Sequence, residues 1–249
     1  MKKLISFTIK ADFGMFKKPD INDKIFITYN IIPKTYIWGM LGAIMGYEGY
    51  AQNSDKTKMP EFYEKLKDVR VSIAPSDRNG GIFKKEFILF NNTCNGETKN
   101  ITEQTLINPA YDIFLELDET NQEHGELIER LENKKAEFLP YMGKNEFSLW
   151  WGNFHKHKTF EKVEQKEQFQ VLTIIPKDEN FVLKNSGYKE KTTNYFYLFE
   201  RLPIDWTEKP RQYKYQDFIY TNAVFKQNEF ESLCLNNLYE CDKGIICLF

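Results

Sequence analysis

The sequence predicts an α+β fold: a βαβ-type N-terminal domain over residues 1–147 and a smaller, mostly β region over 148–249. Three observations predict it. Several segments alternate apolar and polar residues with the period of a strand, one apolar stretch near the start has the length of a helix, and an acidic amphipathic segment follows the strands. With 249 residues, 41% hydrophobic and 16% aromatic, the chain has ample material for a core.

LISFTIK, residues 4–10, sets Ile5, Phe7 and Ile9 on one face and Ser6, Thr8 and Lys10 on the other, the pattern of a half-buried strand. A polar loop, ADFGMFKKPDIND, comes next. Pro33 then pre-sets φ at the first turn of a helix over 33–47, where its missing N–H is not needed. Gly39, Gly42 and Gly46 interrupt that helix, each costing about 1 kcal/mol relative to alanine. Close packing on a sheet is one explanation, since Gly42 and Gly46 have the spacing that lets backbones approach; a ligand against the helix is the other.

KDVRVSIAP repeats the strand pattern through Val69, Val71 and Ile73 until Pro75 ends it. IFKKEFILF and ITEQTLINPAYDIFLEL read as strands of a long hairpin, with NNTCNGETKN as its mobile tip. HGELIERLENKK is an acidic helix with Leu127, Ile128 and Leu131 on one stripe. This order is the split βαβ of a ferredoxin-like domain, shared with RNA-recognition domains whose sheets carry single strands. Beyond residue 147, FQVLTII, TNYFYLFERLP and GIICLF predict short strands between polar linkers.

The longest apolar run, residues 36–47, is about half of the roughly 20 residues a membrane span needs, and no signal peptide opens the sequence. A soluble, cytoplasmic protein with no membrane partner is expected. Cys94, Cys234, Cys241 and Cys247 lack CxxC spacing, and no histidine adjoins the last three, so free thiols and neither metal nor cofactor are expected. A formal charge of −2 argues against a nonspecific nucleic-acid binder. The charge is uneven, however. Residues 1–40 hold seven lysines against three aspartates, whereas residues 116–137 hold eight acidic and three basic residues. The acidic helix over 123–135 therefore suits solvent or a protein partner rather than RNA.

Around the start of the first helix, Tyr29, Asn30, Lys34, Thr35 and Trp38 gather polar, cationic and aromatic groups where free N–H groups and the helix dipole favour a phosphate. Neither GxxxxGK[ST] nor a strand-linked GxGxxG occurs, so a nucleotide fold is not supported.

FTIKADFGMFKKPD followed by TYNIIPKTYIWGMLGAIMGYEGY resembles the amino-terminal signature of the CRISPR-associated protein five family, the RAMP-superfamily subunit of type I Cascade complexes. The segment ending ITEQTLINPAYDIFLEL resembles that family's thumb hairpin, and FLPYMGKNEF its P-x-LG-[RK] turn, so the likeness spans residues 4–147. The long ADFGMFKKP loop is most like the type I-B branch. The resemblance implies a non-catalytic subunit of an antiviral ribonucleoprotein that caps the 5′ handle of the CRISPR RNA, with its thumb at the handle-to-spacer junction. It implies Cascade backbone and large subunits as partners, and target DNA met only in the assembled complex, where guide pairing chooses the sequence.

On that reading the RNA-binding candidates are Lys10, Phe13, Phe16, Lys17, Lys18, Tyr29, Asn30, Lys34, Thr35, Trp38, Asn91, Asn92, Lys99, Gly143 and Lys144. Lysines meet phosphate, aromatic rings stack on bases, and small polar groups meet base edges and 2′-hydroxyls. The alternative is a metal-independent endoribonuclease that processes precursor CRISPR RNA, as in the type I-C branch. Its base and acid would come from Tyr47 or Tyr50 with His124, His155 and His157.

Overall fold

The computed structural model describes residues 2–20, 25–55, 57–76, 80–94, 96–163, 168–177, 195–207, 212–226 and 235–249. Its longer strands are β1 (Lys2–Ala11), β2 (Arg70–Pro75), β3 (Lys85–Cys94), β4 (Glu97–Ile107), β5 (Ala110–Asp118), β6 (Leu149–Lys156), β7 (Tyr197–Trp206), β8 (Tyr213–Thr221), β9 (Leu238–Cys241) and β10 (Gly244–Cys247). The helices are α1 (Lys34–Met45), α2 (Glu61–Leu66) and α3 (Gln122–Glu132). The fold is mixed α/β, mostly strands with few helices.

The main sheet has the order β2-β5-β1-β6, every neighbouring pair antiparallel. Ile5, Phe7 and Ile9 of β1 join Ile37, Leu41 and Ile44 of α1 and Leu127 and Leu131 of α3 in one core. Each such fully buried side chain contributes about 1.5–3 kcal/mol. Alternation in β1 also predicts a solvated opposite face, and here the structure differs. Leu4, Phe114, Ile246 and Leu248 form a second cluster, because the C-terminal hairpin β9–β10 covers that face and buries Ser6 and Thr8 with it. The boundary expected between 147 and 148 runs through the main sheet, since β6 is the strand that pairs with the free side of β1.

The hairpin β3–β4 is longer than its sequence implies. Its register runs from Lys85↔Leu106 to Cys94↔Glu97, so NNTC and ETKN are strand and the ten-residue tip is absent; Gly96 closes the turn at φ +81°. The loop after β1 lies along this hairpin: Phe13–Gly14 pairs with Ile107 and Leu106, and Ile25–Phe26 pairs in parallel with Thr102 and Glu103. FQVLTII forms no long strand among the described residues: it takes part in the short pairings Gln168–Phe169 and Ile175–Pro176 and in a single parallel bridge from Val171 to Ile245.

The three glycines of the first helix have three separate reasons. Gly42 backs onto α2, where an added Cβ would lie 2.5 Å from Phe62 Cβ. Gly46 ends α1 in the left-handed conformation at φ +83°, its N–H donating to Ala43 O and that of Tyr47 to Gly42 O. Nothing lies within 4 Å of the Cβ position of Gly39, which faces open space. Among the described residues no helix is long and apolar enough to cross a membrane. Cys241 and Cys247 are buried and not disulfide-bonded among the described residues; Cys234 and the Cys94 side chain lie outside what is described.

Candidate nucleic-acid interface

Strands β7 and β8 pair antiparallel along their whole length and pack beside α1. Alternation along β7 sends Leu198 and Leu202 inward and exposes Tyr197, Phe199 and Arg201. The ribbon faces the loop after β1 across a cleft of about 1010 Å³, lined by Tyr29, Tyr50, Phe199, Trp206, Tyr213 and Tyr215 with Lys18 and Arg201. A second cavity of about 550 Å³ shares Tyr50, Trp206 and Tyr213 and continues past Thr35, Gly39 and Tyr47 to Tyr141 and Gly143. The two make one aromatic trough along α1, kept open at Gly39 by the missing side chain.

The rings are held in series. Trp206 lies 6.5 Å from Tyr50 and 5.6 Å from Tyr213, and Tyr213 lies 6.1 Å from Tyr215. Arg201 stacks over Tyr215 at 5.1 Å, and Lys177 Nζ lies 5.6 Å above Phe199. At its floor the Glu200 carboxylate accepts N–H groups from Asn30 at 2.9 Å and Ile31 at 2.8 Å, with Lys18 Nζ at 3.7 Å. Burial pushes the Glu200 carboxyl up, and those backbone donors and Lys18 pull against it. Phe199 and Tyr50 are exposed, Trp206, Tyr213 and Tyr215 half-buried and Tyr29 buried at 3%; accessible rings with guanidinium and ammonium groups among them are the chemistry of a single-strand stacking platform.

Of the sequence-predicted residues, Lys18 and Tyr29 line this trough, with Lys18 Nζ 4.9 Å over the Tyr29 ring. Thr35 and Gly143 line its continuation. Thr35 is itself buried, and its Oγ1 has no hydrogen-bond partner among the described residues. Lys17 covers the Phe26 ring at 3.5 Å. Phe13 is 42% exposed and 5.8 Å from Phe147. Lys10, Asn91 and Lys99 are exposed away from the trough; the Asn92 side chain is outside the described set.

Four candidates turn inward instead. Phe16 is fully buried, edge-on to Tyr36 at 5.2 Å, so it closes the loop onto the core. Asn30 clamps the interior: Nδ2 donates to Gly81 O, Oδ1 accepts from Phe83 N, and its carbonyl accepts from the Tyr111 hydroxyl. Trp38 is 1% exposed and packs 5.8 Å from Tyr63. Lys34 does not reach out from the helix start. Its Nζ donates to Phe249 O at 2.8 Å over the Trp38 ring, and burial pushes the ammonium down to about 8.

Gly143 sits at φ +89°, where any Cβ would lie 2.0 Å from Met15 O. Lys144 beside it donates to the buried Glu103 carboxylate at 3.0 Å, tying the turn to β4. Of the catalytic candidates, His155 and His157 adjoin each other with ring centroids 4.7 Å apart. Burial pushes the Tyr47 hydroxyl up to about 12, helped by Glu123 and Glu126, the opposite of what a base needs. His124 Nδ1 accepts the Asp118 N–H at 3.0 Å, and His157 bonds Ser6 on the far face of the sheet. The trough residues that sequence reasoning missed are Phe199, Arg201, Trp206, Tyr213 and Tyr215; the signal was the alternation of Phe199 with Arg201 and of Tyr213 with Tyr215, while Trp206 lies beyond a register shift at Pro203–Asp205 that breaks the alternation.

No protein-family model and no curated protein matches the chain. Solved structures match it in fold. A CRISPR protein from Archaeoglobus fulgidus aligns over 99% of this chain and 98% of its own, at 11% identity and a TM-score of 0.50. The chain shares that protein's fold. A chain described as a CRISPR RNA-guided surveillance complex covers 89% of each at 11% identity and a TM-score of 0.46. One from a type III-B Cmr-beta complex bound to cognate target RNA and AMPPnP covers 91% of this chain and 86% of its own at 10% identity and a TM-score of 0.48.

Proposed function

We propose that the chain is a non-catalytic CRISPR RNA-binding subunit of a type I, I-B-like Cascade complex, a member of the CRISPR-associated protein five family that caps the 5′ handle. The aromatic trough carries this reading. It sets exposed and half-buried rings beside Lys18 and Arg201 in two cavities that share Tyr50, Trp206 and Tyr213, a combination suited to splayed, unstacked bases and their phosphates.

Three further features support it. The main sheet has the strand order of a ferredoxin-like RAMP domain, with α1 and α3 in the two crossover connections. The β3–β4 hairpin stands where the resemblance places a thumb, and its exposed Phe87, Ile88 and Leu89 offer an apolar surface to a neighbouring subunit. The fold is also that of a CRISPR protein. Target DNA would meet the subunit only in the assembled complex.

The test uses labelled CRISPR repeat RNA in EDTA, read by a shift assay and on a denaturing gel. Binding without cleavage is expected, with affinity reduced by about 1–3 kcal/mol in Phe199→Ala and Arg201→Ala while melting stays within about 0.5 kcal/mol of wild type. Specific cleavage would make it the endoribonuclease instead. RNA held as tightly by both variants as by wild type would remove the trough from the site.

A further inference from the structure

On the sheet face away from α1, the end of β6 meets the turn of the β9–β10 hairpin. His155, His157 and Asp242 come together there, their ligand atoms all within 4.8 Å of one another. His155 Nε2 is 3.1 Å and His157 Nδ1 3.9 Å from the same oxygen, Asp242 Oδ2. The two rings sit edge to face with centroids 4.7 Å apart.

His157 is the second, independent observation. Its side chain is fully buried, and Nδ1 has no hydrogen-bond partner among the described residues. A buried polar atom left in that state costs about 1–3 kcal/mol. Nε2 lies 2.9 Å from Ser6 Oγ, which also accepts from Lys243 Nζ at 3.2 Å. That hydroxyl has two lone pairs, enough to accept from both Lys243 and a His157 Nε2–H, the tautomer that a ligand at Nδ1 requires. Burial, with the neighbouring His155, pushes the His157 imidazolium down to about 4, and the ring is neutral at neutral pH. Asp242 accepts the backbone N–H groups of Lys158 at 2.9 Å and Thr159 at 2.8 Å, which hold it ionised.

We propose that these three residues form a mononuclear site for a divalent transition metal of the zinc type, with two imidazole nitrogens, one carboxylate oxygen and a fourth position open to solvent. Zinc bonds of about 2.1 Å in tetrahedral array put donors about 3.4 Å apart, and the 3.1 and 3.9 Å spacings bracket that distance. The His155 side chain, 44% exposed, has room to turn and close the widest pair. Imidazole donors select zinc, nickel or copper over magnesium or calcium. Ser6 is the outer group that fixes the His157 tautomer, and Lys243 is the opposing cation that Asp242 offsets. A bound metal would clip the β9–β10 hairpin to the edge of the main sheet.

The untagged chain in metal-free buffer is titrated with Zn²⁺ alone and with Co²⁺ alone. One equivalent of Zn²⁺ is expected to bind and to raise the melting temperature. The Co²⁺ complex should show d–d bands without the thiolate charge-transfer band that buried Cys241 would give. His155→Gln should lower Zn²⁺ affinity by at least about tenfold and leave metal-free melting unchanged, because its side chain is half-exposed; Asp242→Asn should weaken binding as well. The proposal is overturned if wild type takes up no stoichiometric Zn²⁺, if His155→Gln binds as wild type does, or if the Co²⁺ spectrum is a thiolate one.

Discussion

The start of α1 and the β7–β8 ribbon are built from the same residue types, aromatic rings with lysine or arginine between them, and they do opposite things. At the helix start, Trp38 is buried and Lys34 bends back over it to the Phe249 carbonyl. On the ribbon, Phe199 is 52% exposed and Arg201 lies over Tyr215 at the lip of a cleft. Composition and local spacing therefore do not decide whether an aromatic–cation pair is core or platform. The decision is made by what packs above it: α1 is covered by α2 and the ribbon, while among the described residues nothing buries Tyr197, Phe199 and Arg201 on the ribbon's outer face.

The widest separation between the two regions is expected in stability. Trp38→Ala should cost about 3–5 kcal/mol in urea unfolding, as for other buried tryptophans, while the RNA affinity of the folded fraction stays close to wild type. A large affinity loss without destabilisation would show that Trp38 reaches the ligand after all.

Lys34 sharpens the contrast through pH. Below about pH 8 its ammonium is charged both folded and unfolded, and the cost of burying it is fully present. Between about 8 and the ordinary lysine value of 10.5, only the unfolded chain keeps the proton, so stability rises with pH, by up to about 3 kcal/mol in total. Lys34→Met should abolish that rise relative to wild type. Equal pH slopes in both proteins would mean the ammonium is solvated.

The two sides of α1 separate at its glycines. Gly42→Val drives methyl groups into Phe62 and should destabilise by about 1–3 kcal/mol by calorimetry. Gly39→Ala meets open space, so it should stabilise by about 0.4–1 kcal/mol yet narrow the trough and weaken RNA binding. Unchanged melting in the first, or tighter RNA binding in the second, would reverse the assignment of faces.

Much of the fold was legible. Pro33 opens α1, Gly46 closes it, the alternation of LISFTIK marks β1, and the leucine stripe marks α3. What stayed hidden has a physical reason in each case. Ser6 and Thr8 look solvent-facing until β9–β10, more than two hundred residues later, covers them. Polar NNTC and ETKN look like a loop because both faces of that hairpin are wet, which leaves no apolar alternation to read. The site was legible only in part. Lys18, Tyr29 and Gly143, singled out from the loop, helix-start and turn patterns, line the trough or its continuation, but Asn30 and Lys34 carry the same signals and spend them on Gly81, Phe83 and Phe249.

The sheet order also sets a clock. Strand β1 has its first partners at Ala110–Asp118 and the rest at Leu149–Lys156. At a synthesis rate of about 5–20 residues per second, β1 waits roughly 5–20 s before β5 exists to pair with it. Throughout that interval a ten-residue segment buried in the finished fold at Leu4 to Ile9 has both edges unpaired, and only the face that meets α1 has its cover already made. Strand β1 is thus made well before either of its edges is paired, and aggregation during synthesis should be set by it.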